Sequence, residues 1–330
     1  MYVRALLVAA IAAALALSLV GTAAAAEVSF PKSPAPSWLT EDVKQRLADG
    51  ESVPVDDHQV YDVCPGAAIH ENGVGTGTCL VVPFGCTANF VYTSGSGPAA
   101  QVATGGQYYL GTAGHCTEKV GEPVYGAVAT PGVGPAIQRI GTVSKRIEDY
   151  PDDGNVRDFA SIKIDDGLRL YPQSPVGGPQ GIYDGCDTGA PLKYYGHGYE
   201  VAVAQGKPGV GVAEVWYRDG FGWIGPINGG DSGSGVIHAD NRAIGDLTAT
   251  AIVYLPAFFP GESIGSRITW ILSFTGHSLV NQDFTLSRDT TACFTTVDGG
   301  DDGGGGGGSG GGGKGGGNGG GGGKGGKPKA

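Results

Sequence analysis

Between residues 64 and 297 the chain is written in short apolar runs: CLVVPF, NFVYT, QYYLGTA, FASIKI, KYYGHGYEVAV, AEVWYR, GVIHA and TAIVYL. Clusters of Gly, Pro, Asn and Asp separate them. Runs of this length, rich in β-branched and aromatic residues and bounded by turn formers, read as strands. Only SRITWILSF, near the end, reads as a helix inside this region. Many short strands at regular spacing predict an all-β domain, a sandwich or a barrel. Roughly 230 residues suffice for one such domain or for two small barrels sharing a cleft, with a core that does not depend on disulfides.

The ends differ from this middle. Residues 1–26 begin with Arg4, continue as an apolar run over 5–20 and close on Ala24, Ala25 and Ala26, the pattern of a secretory signal peptide with a small-residue cleavage site. The mature protein is therefore expected outside the cell, with no membrane span. Residues 27–63 carry SPAPSW and EDVKQRLADGE; the latter fits one modest helix in a linker or short pro-region. Residues 298–330 are nearly pure glycine with four lysines and no large apolar side chain. Nothing there repays the entropy of ordering, so a flexible tail is expected. It serves as a solubilising tether or, through its lysines, as an attachment to an anionic cell surface.

Export permits disulfides. Cys64, Cys79, Cys86, Cys116, Cys186 and Cys293 are six, an even number compatible with three bridges, and none forms a Cys-x-x-Cys pair of the kind structural zinc favours. A formal net charge of −11 argues against a phosphate-binding surface, which needs clustered Lys and Arg, so nucleic acid is not an expected partner.

Two short stretches carry chemistry. GTAGHC, residues 111–116, sets His115 behind small residues that can turn tightly. NGGDSGSG, residues 228–235, sets Ser232 at a glycine-flanked apex. Each alone is ordinary turn composition. Together they supply a nucleophile and a base, and a base needs a third group to fix its tautomer. Asp158, at the start of DFASIKI, is the best candidate, because Phe159, Ile162 and Ile164 can anchor the strand that follows. Asp149, Asp152 and Asp153 in EDYPDDGN compete with it and read as a solvated loop.

GTAGHC, DFASIKI and GDSGSG, in the order His, Asp, Ser, resemble the three catalytic motifs of the chymotrypsin-like (trypsin-like) serine proteases, in particular the secreted bacterial branch. The order is informative, since other triad folds run differently. The resemblance covers about residues 75–274. It implies two six-stranded antiparallel β-barrels with a C-terminal helix and the site in the cleft. It makes Ser232 the nucleophile, His115 the general base and Asp158 its orienter. The backbone N–H groups of Gly230 and Ser232 become the oxyanion hole, and Asp231 becomes a structural brace. It also implies a Cys86–Cys116 bridge. Four cysteines then remain with three connectivities, of which Cys64–Cys79 with Cys186–Cys293 is preferred.

The chain departs from the family in three places. No Ile-Val-Gly-Gly-like mature start lies near GAAIHENGVG, so an internal group, Lys193, Tyr194 or another, must hold Asp231. The pocket floor falls on Pro226, where an aspartate would select Lys or Arg. Thr248, Ala249 and Thr250 occupy the wall usually written Ser-Trp-Gly. A pocket of Pro226, Ile227, Thr248 and Thr250 suits small or apolar side chains. The expected activity is that of a secreted, monomeric serine endopeptidase acting on protein or peptide substrates without a cofactor; the competing reading is a silent protease-like binding or cell-surface module. His58, His70, His197, His238 and His277 share no metal-ligand spacing. Asp152, Asp153 and Asn155 offer a calcium-like oxygen cluster.

Overall fold

A computed structural model describes residues 36–57, 59–60, 70–82, 85–151, 155–197, 207–225, 227, 229–250 and 261–288. The chain divides into two units, Met1–Phe294 and Thr295–Ala330, and all described residues belong to the first. The signal segment 1–26, the tail 298–330, Cys64, Cys293, Asp152, Asp153, Pro226, His58 and most of TAIVYL lie outside the described residues. Among the described residues no helix is long and apolar enough to cross a membrane.

The first barrel is built from Cys79–Val82, Pro123–Thr130, Gly134–Asp149, Arg157–Ile164 and Tyr108–Thr112, each hydrogen-bonded to the next. One extended stretch closes it. Cys86–Thr87 pairs with Cys79–Val82 and Val91–Thr93 pairs with Tyr108–Thr112. Between these two strands Ala88 N–H donates to Thr78 O (2.9 Å) and Asn89 N–H to Gly111 O (2.8 Å). The interior holds Leu80, Val91, Leu110, Ile140, Val143 and Ile162, all buried.

The second barrel closes outright. Pro191–Gly196, Lys207–Trp216, Gly220–Gly225, Gly261–Arg267, Arg242–Thr250 and Gly235–His238 pair in that order, and the last pairs back to the first. Closure removes the exposed edges of an open sheet. Its core gathers Leu192, Tyr194, Phe221, Trp223, Val236 and Leu247.

The expected C-terminal helix is Ile268–Thr275, ended by Gly276 in the left-handed region, with Lys145 Nζ donating to Thr275 O at 2.8 Å. Both features satisfy carbonyls that a helix end leaves unpaired. Ile268, Ile271 and Leu272 pack with Phe90, Tyr92 and Phe159 of the first sheet and Ile237 and Ala243 of the second, so the helix seals the seam between the barrels. Beyond it, Ser278–Val280 returns to pair with Val91–Thr93.

The N-terminal segment has a definite place. Its helix, Glu41–Ala48, is capped by Thr40, whose Oγ1 accepts from Val43 N–H at 3.3 Å. Leu39, Leu47, Val53, Val55 and Val60 bury against Val81, Tyr125, Ala127 and Ile137 on the outside of the first barrel, and Val53–Pro54 pairs with Ile137 and Ala136. A linker would leave these side chains in water. Leu47→Ala, removing a side chain 1% exposed, is expected to lower unfolding free energy by about 2–5 kcal/mol in chemical denaturation.

His277 is buried at the same seam, stacked on Tyr109 with ring centroids 4.0 Å apart. Burial, with the Lys145 and Arg288 charges beside it, lowers its pKa to about 4. The unfolded chain therefore binds a proton there that the folded chain does not, between pH of about 6.5 and 4. Stability is lost as pH falls through that window. Urea midpoints at pH 7, 5 and 4 should fall more steeply for the native chain than for His277→Phe.

Candidate active site

Antiparallel pairing of Tyr108–Thr112 with Arg157–Ile164 sets Thr112 opposite Ala160, so the chain that turns next arrives over Asp158. The turn is the short helix Gly114–Cys116. A Cβ on Gly114 would lie 2.0 Å from Ile147 O and 2.8 Å from Asp158 Oδ1, so only glycine admits the carboxylate here. His115 N–H donates to Asp158 Oδ1 at 2.8 Å, and His115 Nδ1 lies 2.7 Å from Asp158 Oδ2. Asp158 is completely buried. With Nδ1–H held by the carboxylate, the Nε2 lone pair is the one left to act as a base.

A third donor reaches the same carboxylate. The Tyr150 hydroxyl donates to Asp158 Oδ2 at 2.6 Å, and burial together with the Asp158 charge raises the Tyr150 pKa, keeping the phenol protonated. Among the described residues of the turn EDYPDDGN, the tyrosine and not an acid reaches this carboxylate. Asp149, one of the competing acids, is half exposed and pairs with Arg157 at 3.3 Å. The backbone of Asp158 is held from the second barrel: Ser266 Oγ accepts Asp158 N–H at 3.0 Å and lies 3.3 Å from Asp158 O.

Ser232 sits in a turn flanked by Gly230 and Gly233, both at positive φ (103° and 86°). A Cβ on Gly233 would come within 2.2 Å of Thr112 Oγ1 and 2.3 Å of Thr87 O, so the turn closes on the histidine strand only because no side chain intervenes. Thr87 ties the pieces together. Its N–H donates to Ser232 O (2.9 Å), its Oγ1 donates to Gly230 O (2.8 Å), and its carbonyl accepts Thr112 Oγ1 (3.0 Å). The Ser232 hydroxyl makes a long contact of 3.5 Å to Thr248 O.

The Cys86–Cys116 disulfide is present. Cys116 Sγ lies 3.9 Å from His115 Nε2 and 3.8 Å from Ser232 O, so histidine and serine flank one sulfur. Cys86, His115 and Cys116 bring ligand atoms within 4.8 Å of one another. The two sulfurs are bonded to each other, which leaves no thiolate for a metal. Cys79 and Cys186 are also disulfide-bonded, while Cys64 and Cys293, the partners preferred for them among three connectivities, fall outside the described residues.

Asp231 is buried and accepts from the Tyr194 hydroxyl at 3.1 Å, so Tyr194 is one of the groups that hold it. Lys193 instead donates to Asn241 Oδ1 at 2.7 Å. Of the pocket residues, Ile227 packs against the second-barrel core, Thr248 is fully buried and Thr250 pairs with Ser263. The Asn155 side chain accepts Asp219 N–H at 2.8 Å, a structural use of the oxygen assigned above to a calcium cluster. Among the other histidines, His197 is buried with Nε2 2.5 Å from Gly77 O, and His70 stacks on Tyr171. Tyr194→Phe removes a donor from a buried carboxyl and is expected to cost about 1–3 kcal/mol of stability in urea denaturation.

No protein-family model matches the chain, and no curated protein matches it. Solved structures do. A glutamic-acid-specific serine protease, described as using a histidine triad in substrate binding, is 18% identical with a TM-score of 0.42, covering 62% of this chain and 100% of its own. The MamO protease domain from Magnetospirillum magneticum in its apo form is 18% identical with a TM-score of 0.36, covering 65% and 98%. The HtrA-type protease AlgW with a tripeptide is 21% identical with a TM-score of 0.36, covering 57% of this chain and 58% of that one. The architecture described above, a closed six-stranded antiparallel barrel joined to a second large β-sheet and a helix at their seam, is that of the chymotrypsin-like double-barrel fold.

Proposed function

We propose that this chain is a secreted serine endopeptidase that cleaves peptide bonds through Ser232, His115 and Asp158. The observation that carries the reading is the fully buried Asp158 carboxylate, with both oxygens bonded to His115, at the junction where the Ser232 turn meets the histidine strand. A scaffold has little use for a buried carboxylate aimed at a histidine. A hydrolase needs it to fix the imidazole tautomer and to balance the imidazolium that forms.

In this mechanism the Ser232 hydroxyl exchanges its contact with Thr248 O for one with His115 Nε2. Oγ attacks the scissile carbonyl carbon as its proton passes to Nε2. The N–H groups of Gly230 and Ser232 stabilise the oxyanion, and the positive φ of Gly230 suits an amide turned toward substrate. His115 then protonates the departing amine, and water, deprotonated by the same nitrogen, releases the acyl group from Ser232. None of Pro226, Ile227, Thr248 and Thr250, the residues assigned to the side-chain pocket, carries a charge, which favours small or apolar residues over Lys and Arg at the cleaved position. Export through residues 1–26 accords with the disulfide next to the base.

The full secreted chain and Ser232→Ala are to be treated with a fluorophosphonate probe and mapped by mass spectrometry, then tested on a denatured protein. The native chain alone is expected to be labelled, at Ser232, and the variant to lose at least about 10³-fold in kcat/KM. Absence of labelling in the folded native chain would point to a binding module, and a cleavage profile dominated by Lys and Arg would refute the pocket assignment.

A further inference from the structure

Asp246 lies on Arg242–Thr250 of the second barrel, directly across from Ser266 of Gly261–Arg267, and is completely buried. Its Oδ1 accepts the Ser266 N–H at 3.0 Å. Its Oδ2 has no hydrogen-bond partner among the described residues. Ser266 in turn spans the main chain of Asp158, accepting its N–H and donating to its carbonyl. A carboxyl, an amide and a hydroxyl thus run in sequence from the wall of one barrel to the acid carried by the other.

We propose that Asp246 is a positioning residue for Asp158, acting through Ser266 to fix where the second barrel holds the main chain of the acid paired with His115. The proposal rests on the reading of Asp158 given above and deepens it. The residues beside Asp158 are anchored separately, through Arg157 Nε to Asp219 Oδ2 (2.7 Å) and Asp219 N–H to Asn155 Oδ1 (2.8 Å). Ser266 is what reaches the Asp158 peptide itself.

The chemistry of the position says which form of Asp246 does this. Complete burial disfavours charge, and the Asp158 carboxylate beside it disfavours a second anion, so both push the Asp246 pKa well above the usual carboxylate range. The other titratable groups facing it are the phenols of Tyr92 and Tyr150, which stay protonated. Asp246 therefore acts as a neutral acid: polar enough to capture the Ser266 amide, and without a charge to disturb the His115–Asp158 pair. An alkyl side chain here would leave that amide without its acceptor.

The test uses the full chain with Asp246→Asn and Asp246→Ala, and two readouts. The first is the low-field proton NMR resonance of the His115 Nδ1–H···Asp158 bond, which needs no turnover; the second is kcat, KM and the pH profile on a peptide substrate. Asp246→Asn, a neutral acceptor of the same shape, is expected to keep the resonance in place and leave the acidic limb of the profile unmoved. Asp246→Ala is expected to shift or broaden the resonance and to lower kcat about 10–100-fold with KM within about twofold. An unchanged resonance and kcat in Asp246→Ala would overturn the proposal. An acidic limb moved to lower pH in Asp246→Asn would also overturn it, because a negative charge would then have been lost. Should Asp246→Ala fail to fold, Ser266→Ala carries the same expectation, and an unmoved resonance there refutes the relay. A native chain that neither cleaves peptide nor takes up the fluorophosphonate defeats the protease reading alone, since the NMR comparison still decides the role of Asp246.

Discussion

A carboxylate taken wholly out of water is tolerated only where donors replace its hydration, and much of this molecule is arranged to meet that requirement at Asp158. Three donors converge on it: the His115 amide, the His115 ring and the Tyr150 hydroxyl. Each requires something of a different part of the chain. The amide requires a glycine at 114, because a Cβ there would run into the Ile147 carbonyl oxygen and crowd the carboxylate. The hydroxyl requires the long Gly134–Asp149 strand to end one residue before Tyr150. The ring nitrogen requires the turn after Tyr108–Thr112 to be held in place, and the Cys86–Cys116 bridge ties that turn to the strand beginning at Cys86.

The same strand joins the two halves of the site. Cys86 anchors the histidine turn covalently while Thr87, the next residue, takes three hydrogen bonds that bring together Thr112, Gly230 and Ser232. A threonine can do this because its backbone and its hydroxyl offer separate donors and acceptors at one point. The serine turn belongs to the second barrel and the histidine turn to the first, so the relation between Ser232 and His115 is set by one short stretch as well as by barrel packing. Burial of the Ile268–Thr275 helix over the seam adds apolar area that resists opening of the same joint.

What was legible in the sequence follows from how local each signal is. GTAGHC and NGGDSGSG announce themselves because tight turns demand small residues at adjacent positions. The Ile268–Thr275 helix and the Glu41–Ala48 helix are legible because each is a short local run of helix-compatible residues. Gly134–Asp149 was not read as a strand, and its residues explain why. Ile137, Ile140, Val143 and Ile147 are three or four apart, a helical spacing, yet they lie on a strand with an irregularity near Ser144 and another opposite Val124 and Tyr125. The strand feeds three separate clusters, Ile137 to the outer layer, Ile140 and Val143 to the barrel interior and Ile147 to the seam. No single periodicity can encode that. Tyr150, Thr87, Ser266 and Asp246 were invisible for another reason: each matters through partners fixed only by the fold, as Ser266 does through Asp158, 108 positions away.

The supporting polar residues also show how labour is divided between the barrels. The first barrel supplies His115, Asp158 and Tyr150, which meet at one buried carboxylate. The second supplies Ser232 and a brace behind each side of the site, Tyr194 holding Asp231 and Ser266 holding Asp158. Asp158 is therefore gripped at its carboxylate by one barrel and at its peptide by the other. A rigid displacement of the barrels would pull on both grips at once, so the imidazole orientation and the serine position change together and not independently. The two halves of such a site are coupled, a consequence of placing one buried acid under the joint control of a closed barrel and a second large sheet.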